Sequence, residues 1–235
     1  MKKMFLMAVL VMATLSVSAQ SRFDQGTLTI QPRIGGTASL MSNMPSIPLD
    51  EFDYKGNNSS DIDPKPTGGG TIGVDLEYMF TDRLGLQAGA LWGQAGSGWD
   101  DVNFHVEKET VKMRDLKIET DYVNVPVTLN YYIAKGLALK AGVQCSFLTR
   151  AKFKFSVSGE SEGVNSKTDY DIDIKDLFNN FDLSIPVGLS YEFKTPFVID
   201  ARYNIGISKV NKESFGGKDS RNGVFTLSFG YKFSL

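Results

Sequence analysis

The sequence predicts an all-β fold: an eight-stranded antiparallel up-and-down transmembrane β-barrel. Three observations predict it. Eight stretches alternate apolar and polar residues, which is the period of a strand. Their connections alternate strictly in length: short after the second, fourth and sixth stretches, long after the first, third, fifth and seventh. The chain also opens with an export signal, so the apolar faces can look to lipid as well as to a core.

Residues 1–19 read as a signal peptide, leaving 20–235 as the barrel domain. Lys2 and Lys3 form its charged start, and Phe5 to Leu15 an apolar stretch too short to span a bilayer. Val17, Ser18 and Ala19 supply small residues at the cleavage positions. No Cys follows directly, which argues against a lipid anchor. Without Lys2 and Lys3 the 25 basic residues become 23 against 27 acids, a net charge of −4. That balance gives no reason to expect nucleic acid as a partner. No later segment holds the ~18 consecutive apolar residues of a membrane helix, as suits a strand-built protein whose inner half is polar.

Taken in order, the first strand sets Leu28, Ile30, Pro32, Ile34, Gly36 and Ala38 against Thr29, Gln31, Arg33, Gly35 and Thr37. The second sets Ile72, Val74, Leu76, Tyr78 and Phe80 against Gly73, Asp75, Glu77 and Met79, then turns at Thr81–Arg83. The third sets Leu84, Leu86, Ala88, Ala90 and Trp92 against Gly85, Gln87 and Gly89. The fourth carries Val123, Val125, Val127, Leu129, Tyr131 and Ile133 opposite Asn124, Pro126, Thr128 and Asn130. A turn at Ala134–Gly136 leads to the fifth, with Leu137, Leu139, Ala141, Val143, Cys145 and Phe147 on one face.

The sixth strand alternates from Phe181 to Phe193 and turns at Lys194–Pro196 into the seventh, Phe197 to Ile207. The eighth places Phe225, Leu227, Phe229, Tyr231 and Phe233 against Thr226, Ser228, Gly230 and Lys232. Each run meets the ~9–11 residues that a tilted strand needs to cross a membrane. The long connections cover roughly Met41–Thr67, Ala95–Leu116, Thr149–Leu177 and Val210–Arg221. Short turns and an even strand count place both termini and the turns in the periplasm, with the long loops extracellular. Tyr78, Phe80, Tyr131, Tyr191, Phe193, Phe197, Tyr231 and Phe233 gather beside the short turns. Trp92, Phe147, Phe181 and Phe225 fall at the other end, so two aromatic girdles are expected. Cys145 is the only cysteine and reads as a small apolar residue on the outward face.

Two hairpins echo each other: Tyr122 to Tyr131 and Phe181 to Tyr191 each carry an inward mid-strand Pro and a Tyr just before a short turn. Pro cannot donate to a ladder, so bulges are expected at Pro126 and Pro186. With these hairpins, the signal ending Val-Ser-Ala-Gln, the Ala201–Gly206 run and the closing Phe225–Phe233 strand, the chain resembles the porin-family, PorT-like outer-membrane barrels of Gram-negative bacteria. The resemblance covers nearly the whole mature chain and implies the barrel and its location. It implies no catalytic motif. The final strand departs from the usual aromatic end, because Ser234 and Leu235 follow Phe233.

The inward faces carry Arg33, Asp75, Glu77, Lys140, Asp182, Glu192, Asp200, Arg202 and Lys232. Eight strands enclose a lumen about wide enough for its own side chains, so a mutually paired charge network is expected. His105, the single histidine, lies in the second long connection near Asp100, Asp101 and Glu107 without a nucleophile motif. The Asp61–Asp63 and Asp169–Asp173 clusters lack the Gly turn and closing Glu of a calcium loop. Gly68–Gly70 has no following Lys-Ser/Thr and no helix, and is expected to relieve crowding where the chain re-enters the sheet. Residues 57–67 read as a mobile outer loop, and the alternation of Lys152–Val157 and of Lys108–Lys117 suggests strands continuing beyond the membrane.

No catalytic, cofactor or metal residue is expected. The expected partners are outer-membrane lipid, lipopolysaccharide and the barrel-insertion machinery. The expected role is non-catalytic: structural, adhesive or a narrow passage for small solutes. A partner-binding part of a secretion or surface-assembly machine is an alternative suggested by the resemblance. A soluble, lipocalin-like carrier is another, and it would require the apolar faces to point inward.

Overall fold

The computed structural model describes residues 23–46, 62–106, 109–161, 164–213 and 218–235. Residues 1–22, which include the expected signal segment, and residues 57–61 of the 57–67 loop lie outside the described residues. The strands are β1 (Leu28–Met41), β2 (Thr67–Thr81), β3 (Leu84–Gly98), β4 (Val102–Val106), β5 (Glu109–Ala134), β6 (Leu137–Ser161), β7 (Val164–Asp173), β8 (Phe181–Glu192), β9 (Phe197–Gly206), β10 (Asn222–Tyr231) and β11 (Phe233–Ser234). A 3-10 turn at Lys175–Leu177 leads into β8.

Eight of them close a ring in the order β1-β2-β3-β5-β6-β8-β9-β10, with β10 returning to β1 through Arg33↔Gly230 to Met41↔Asn222. The short β11 extends that pairing in the same register, Thr29↔Ser234. All neighbours are antiparallel, so the barrel runs up and down as the alternating connections predict. The long connections gather at one end, the upper, and the short turns at the other, the lower.

The alternation sorts the residues by face. Leu139 is 49% exposed and Leu227 43%, while Arg202 is 3% exposed. The apolar stripe therefore looks out and the charged stripe is enclosed, which removes the soluble carrier with an apolar interior. Aromatic pairs mark the lower rim: Tyr78 with Phe80 at 5.3 Å, Tyr191 with Phe193 at 4.9 Å and Phe197 with Tyr231 at 5.2 Å. Phe147 and Phe181 pair at 5.7 Å near the upper rim.

The expected bulges at Pro126 and Pro186 are absent. Pro126 stays opposite Gln144 on β6, and Pro186 opposite Asn204 on β9, with no change of register. Each proline instead interrupts the ladder on its other side, towards β3 and β6, and pairing resumes there in the same register. A missing N–H removes one ladder bond, and the neighbouring pairs on a closed sheet hold the register without an extra residue. The irregularities fall elsewhere, at Met79–Thr81, Arg114–Lys117, Asp121–Tyr122 and Tyr132–Ala134.

The break at Asp121–Tyr122 coincides with an inversion of the pattern. Below it the outward residues of β5 and β6 are apolar, ending at Val123 and Phe147. Above it the outward positions are Asp121, Glu119 and Lys117 on β5 and Arg150, Lys152 and Lys154 on β6. The inward positions become Thr120 and Ile118 opposite Ala151 and Phe153, with Leu116 and Phe155 beyond them at the next irregularity. Thr149 is the extra residue that moves the β6 alternation into phase with β5. An outward face that turns from apolar to charged within one residue pair marks the boundary between lipid and water. β5 and β6 are 26 and 25 residues long, so about half of each stands beyond that boundary.

There β4 adds to β5 and β7 adds to β6, making a four-stranded outer sheet in the order β4-β5-β6-β7. Its apolar face covers the mouth of the barrel. Met41, Met44, Trp99, Leu116, Tyr122, Leu148, Phe178 and Val210 form one buried cluster, with Phe153 and Phe155 packed against it. Trp99 is anchored by its indole N–H, which donates to the Pro45 carbonyl at 3.1 Å.

Candidate functional site

The nine charged residues expected in the lumen are all buried, and the structure gathers eight of them into two layers. In the middle layer Asp200 of β9 takes Lys140 of β6 at 2.7 Å, Arg202 at 3.3 Å and Arg33 of β1 at 3.4 Å. Arg33 Nε also lies 3.1 Å from Asp75 of β2. In the lower layer Lys232 pairs with Glu77 at 2.7 Å and Glu192 at 2.8 Å. Three cations against two acids in one layer meet one cation against two in the other, so the eight sum to zero. The Born cost of burying each ion is offset only by such close mutual pairing.

Gln87 joins the layers. Its Oε1 accepts from Lys140 at 3.0 Å and from Asn130 at 3.0 Å, while Asn130 donates to Glu77 at 2.6 Å. The Tyr132 hydroxyl donates to both Glu77 oxygens at 3.0 Å. Gln87 and Asn130 sit on the inward alternation and could have been drawn into the network from sequence. Tyr132 shares their parity but reads as another aromatic beside the lower turn.

Asp182, the ninth charge, stands apart. Its carboxylate accepts from Ser208 Oγ at 2.6 Å and Asn222 Nδ2 at 2.9 Å, with no base beside it among the described residues. Between Asp182 and the arginines lies a polar cavity of about 40 Å³, lined also by Asn124, Gln144, Ser184 and Asn204. It has room for two or three waters. The buried cluster of Trp99 and Phe178 lies on its upper side, and Met79, Tyr132 and Ala138 with Phe23 pack together at the lower end of the lumen.

Outside the lumen, the charged face of the outer sheet is a second constellation. Arg150 binds Asp121 at 2.7 Å and Glu119 at 2.9 Å, and Lys154 reaches Glu119 at 2.8 Å. Lys152 pairs with Asp171 of β7 at 2.8 Å, and Ser156 donates to Asp169 at 2.6 Å. Burial pushes the Glu119 carboxyl up, but hydrogen bonds and charge from Lys154 and Lys117 outweigh it and hold it below its ordinary range.

Asp169 and Asp171 are thus tied to β6 while Asp173 Oδ1 accepts from the Lys175 amide at 2.9 Å, so the Asp169–Asp173 cluster does not converge on one point. Asp63 accepts from Ser46 at 2.8 Å, and Asp61 lies outside the described residues. His105 belongs to β4, and its side chain too lies outside them. Cys145 is a half-buried free thiol. A Cβ at Gly69 would lie 2.7 Å from Gln94 Cβ and 2.8 Å from Thr37 Oγ1, so crowding is relieved at that one position of the Gly68–Gly70 run.

Solved structures resemble the chain at low identity. Ail, the attachment invasion locus protein of Yersinia pestis, is 17% identical with a TM-score of 0.42, over 89% of this chain and 99% of that one. Neisserial surface protein A is 14% identical with a TM-score of 0.40, over 88% and 97%. The outer membrane protease OmpT of Escherichia coli is 10% identical with a TM-score of 0.37, over 94% and 99%. No curated protein matches the sequence. A family model described as the outer membrane protein beta-barrel domain matches residues 18–212. With its closed eight-stranded ring, apolar outer belt and charged interior, the chain belongs to that family and is an outer-membrane protein of the Gram-negative kind.

Proposed function

We propose that this is a non-catalytic surface protein that attaches to other proteins through its outer sheet. The termini and short turns face the periplasm, and the long connections with the outer sheet face the exterior. Turn-length asymmetry and an even strand count support that orientation. The barrel is the anchor, seated in lipid and lipopolysaccharide after the insertion machinery has read the Phe225–Phe233 strand.

The observation that carries this reading is the ten-residue strand β7. It pairs with β6 on one side, and no strand among the described residues lies on its other side. An open edge beyond the membrane boundary presents a row of backbone donors and acceptors to an added strand. The filled lumen favours attachment over passage, because the cap, two ion-paired layers and a lower cluster lie in series along the axis. Its charges serve one another, which also favours a structural over a catalytic interior.

The test is adhesion of cells bearing the barrel to a surface coated with serum protein. In a shortened variant an Asn-Gly turn joins Phe155 directly to Tyr170, a pair already opposite in the β6–β7 register. Adhesion is expected to fall at least tenfold while heat-shifted gel mobility, the mark of a folded barrel, persists. Equal adhesion by the shortened barrel overturns the reading.

A further inference from the structure

The edge of β7 is complementary to itself. Centred on Thr168, the strand has Lys167 and Asp169 as its first flanking pair, Asn165 and Asp171 as its third and Val164 and Ile172 as its fourth. Residues opposite one another across an antiparallel pair point to the same face and interact directly. A two-fold axis through Thr168 therefore sets Lys167 against the second copy's Asp169, and Asp169 against its Lys167. No acid then meets an acid. Neighbouring registers lose this: an axis through Asp169 opposes two aspartates, one through Lys167 opposes two lysines, and one through Tyr170 opposes Asp169 and Asp171 twice.

The residues concerned are available. Lys167 and Asp169 are 61% and 73% exposed, with a loose contact of 3.5 Å between them. Ser156 donates to the same Asp169 oxygen, Oδ1, at 2.6 Å, which leaves Oδ2 for a partner. Tyr170 and Ile172 are about half exposed, and Tyr170 is held in place by stacking on Phe155 at 4.8 Å and 13°. The pairing also has a consequence for geometry. An axis through two antiparallel edge strands stands perpendicular to the sheet, so it lies in the membrane plane and inverts one copy. Copies in one membrane share its normal and cannot meet in this way. Copies in facing membranes can.

We propose that β7 is a homophilic contact: a second copy of this chain in an opposing membrane adds its own β7 antiparallel, in the register centred on Thr168. This rests on the reading of the outer sheet as an attachment surface and names its occupant.

The experiment uses the full barrel, one copy per lipid nanodisc, with bridging between discs read by light scattering. Wild-type discs are expected to bridge. K167D discs carry two aspartates at the contact and D169K discs two lysines, so each alone should bridge at least tenfold more weakly. Mixing the two should restore bridging, because every lysine then faces an aspartate, and the K167D/D169K double variant should bridge with itself. Recovery in the mixture cannot come from a misfolded strand. Self-bridging of either single variant at the wild-type level, or a mixture no better than its components, overturns the proposal. Wild-type discs that stay apart while cells still adhere to serum protein overturn this inference alone and leave the attachment role standing.

Discussion

Lys232, between β10 and β11, donates over the intervening β1 to Glu77 of β2 at 2.7 Å and, among the described residues, is the only base paired in the lower layer. Lys232→Met therefore leaves two buried carboxylates facing each other. Loss of one partner from a buried pair costs about 3–5 kcal/mol, because the remaining charge is uncompensated. The urea midpoint of the barrel in lipid is expected to fall accordingly. Adding Glu77→Gln and Glu192→Gln should recover most of the loss, since no charge then remains in that layer. A Lys232→Met barrel as resistant as wild type would show that the layer is not ion-paired.

Gly89 makes the middle layer possible. A Cβ there would overlap the Asp75 carboxylate, which would have to leave Arg33. Gly89→Ala is expected to destabilise by at least the ~1–3 kcal/mol typical of overpacking. Gly68→Ala is the control: its Cβ would meet only the Thr37 carbonyl, at 3.9 Å, and should lie within about 0.5 kcal/mol of wild type. Equal midpoints for the two variants would sink the argument.

Much of this was legible in the sequence, because each barrel strand has one period and two solvents. Leu139 and Lys140 are assigned to opposite faces by parity alone, and all nine lumen charges follow from the same count. Parity does not register the phase change at Thr149, where one extra residue keeps Phe153 and Phe155 inward above the boundary. Nor does it reach Trp99 and Phe178, which sit in connections without a period and meet only through the tertiary fold. The prolines differ for another reason: a missing donor predicts a bulge from sequence alone, whereas the closed sheet keeps Pro126 in register.

The outer sheet should loosen in acid. Glu119 has a lowered carboxyl pKa in the folded sheet, so its contribution is present above the unfolded value and is lost as pH falls through the folded one. The protection of β5–β6 amides above Val123, measured relative to the intrinsic exchange rate at each pH, is expected to fall below about pH 4.3, before protection in the barrel wall responds. Glu119→Gln should shrink that pH dependence and lower protection at neutral pH, leaving the share of Asp169 and Asp171, whose carboxyls are held low by hydrogen bonds from Ser156 and Lys152. A variant with the wild-type acid response would place the titration elsewhere.

The lumen is closed in series, so removing one closure should admit reagent without opening a path. Ser184 lines the upper cavity, beneath Phe178 and above the charged layers. In a Cys145→Ser background, Ser184→Cys is expected to resist a water-soluble maleimide added from outside. Phe178→Ala empties the centre of the cap, at about 3–5 kcal/mol for a buried ring, and should raise the labelling rate at least tenfold. Planar-bilayer conductance should remain silent in both proteins, because Asp200, Lys140, Gln87 and Glu77 still fill the section below. Steady current through the Phe178→Ala barrel would mean that the paired layers do not seal the axis. Rapid labelling of the Ser184→Cys barrel with Phe178 in place would mean that the cap does not.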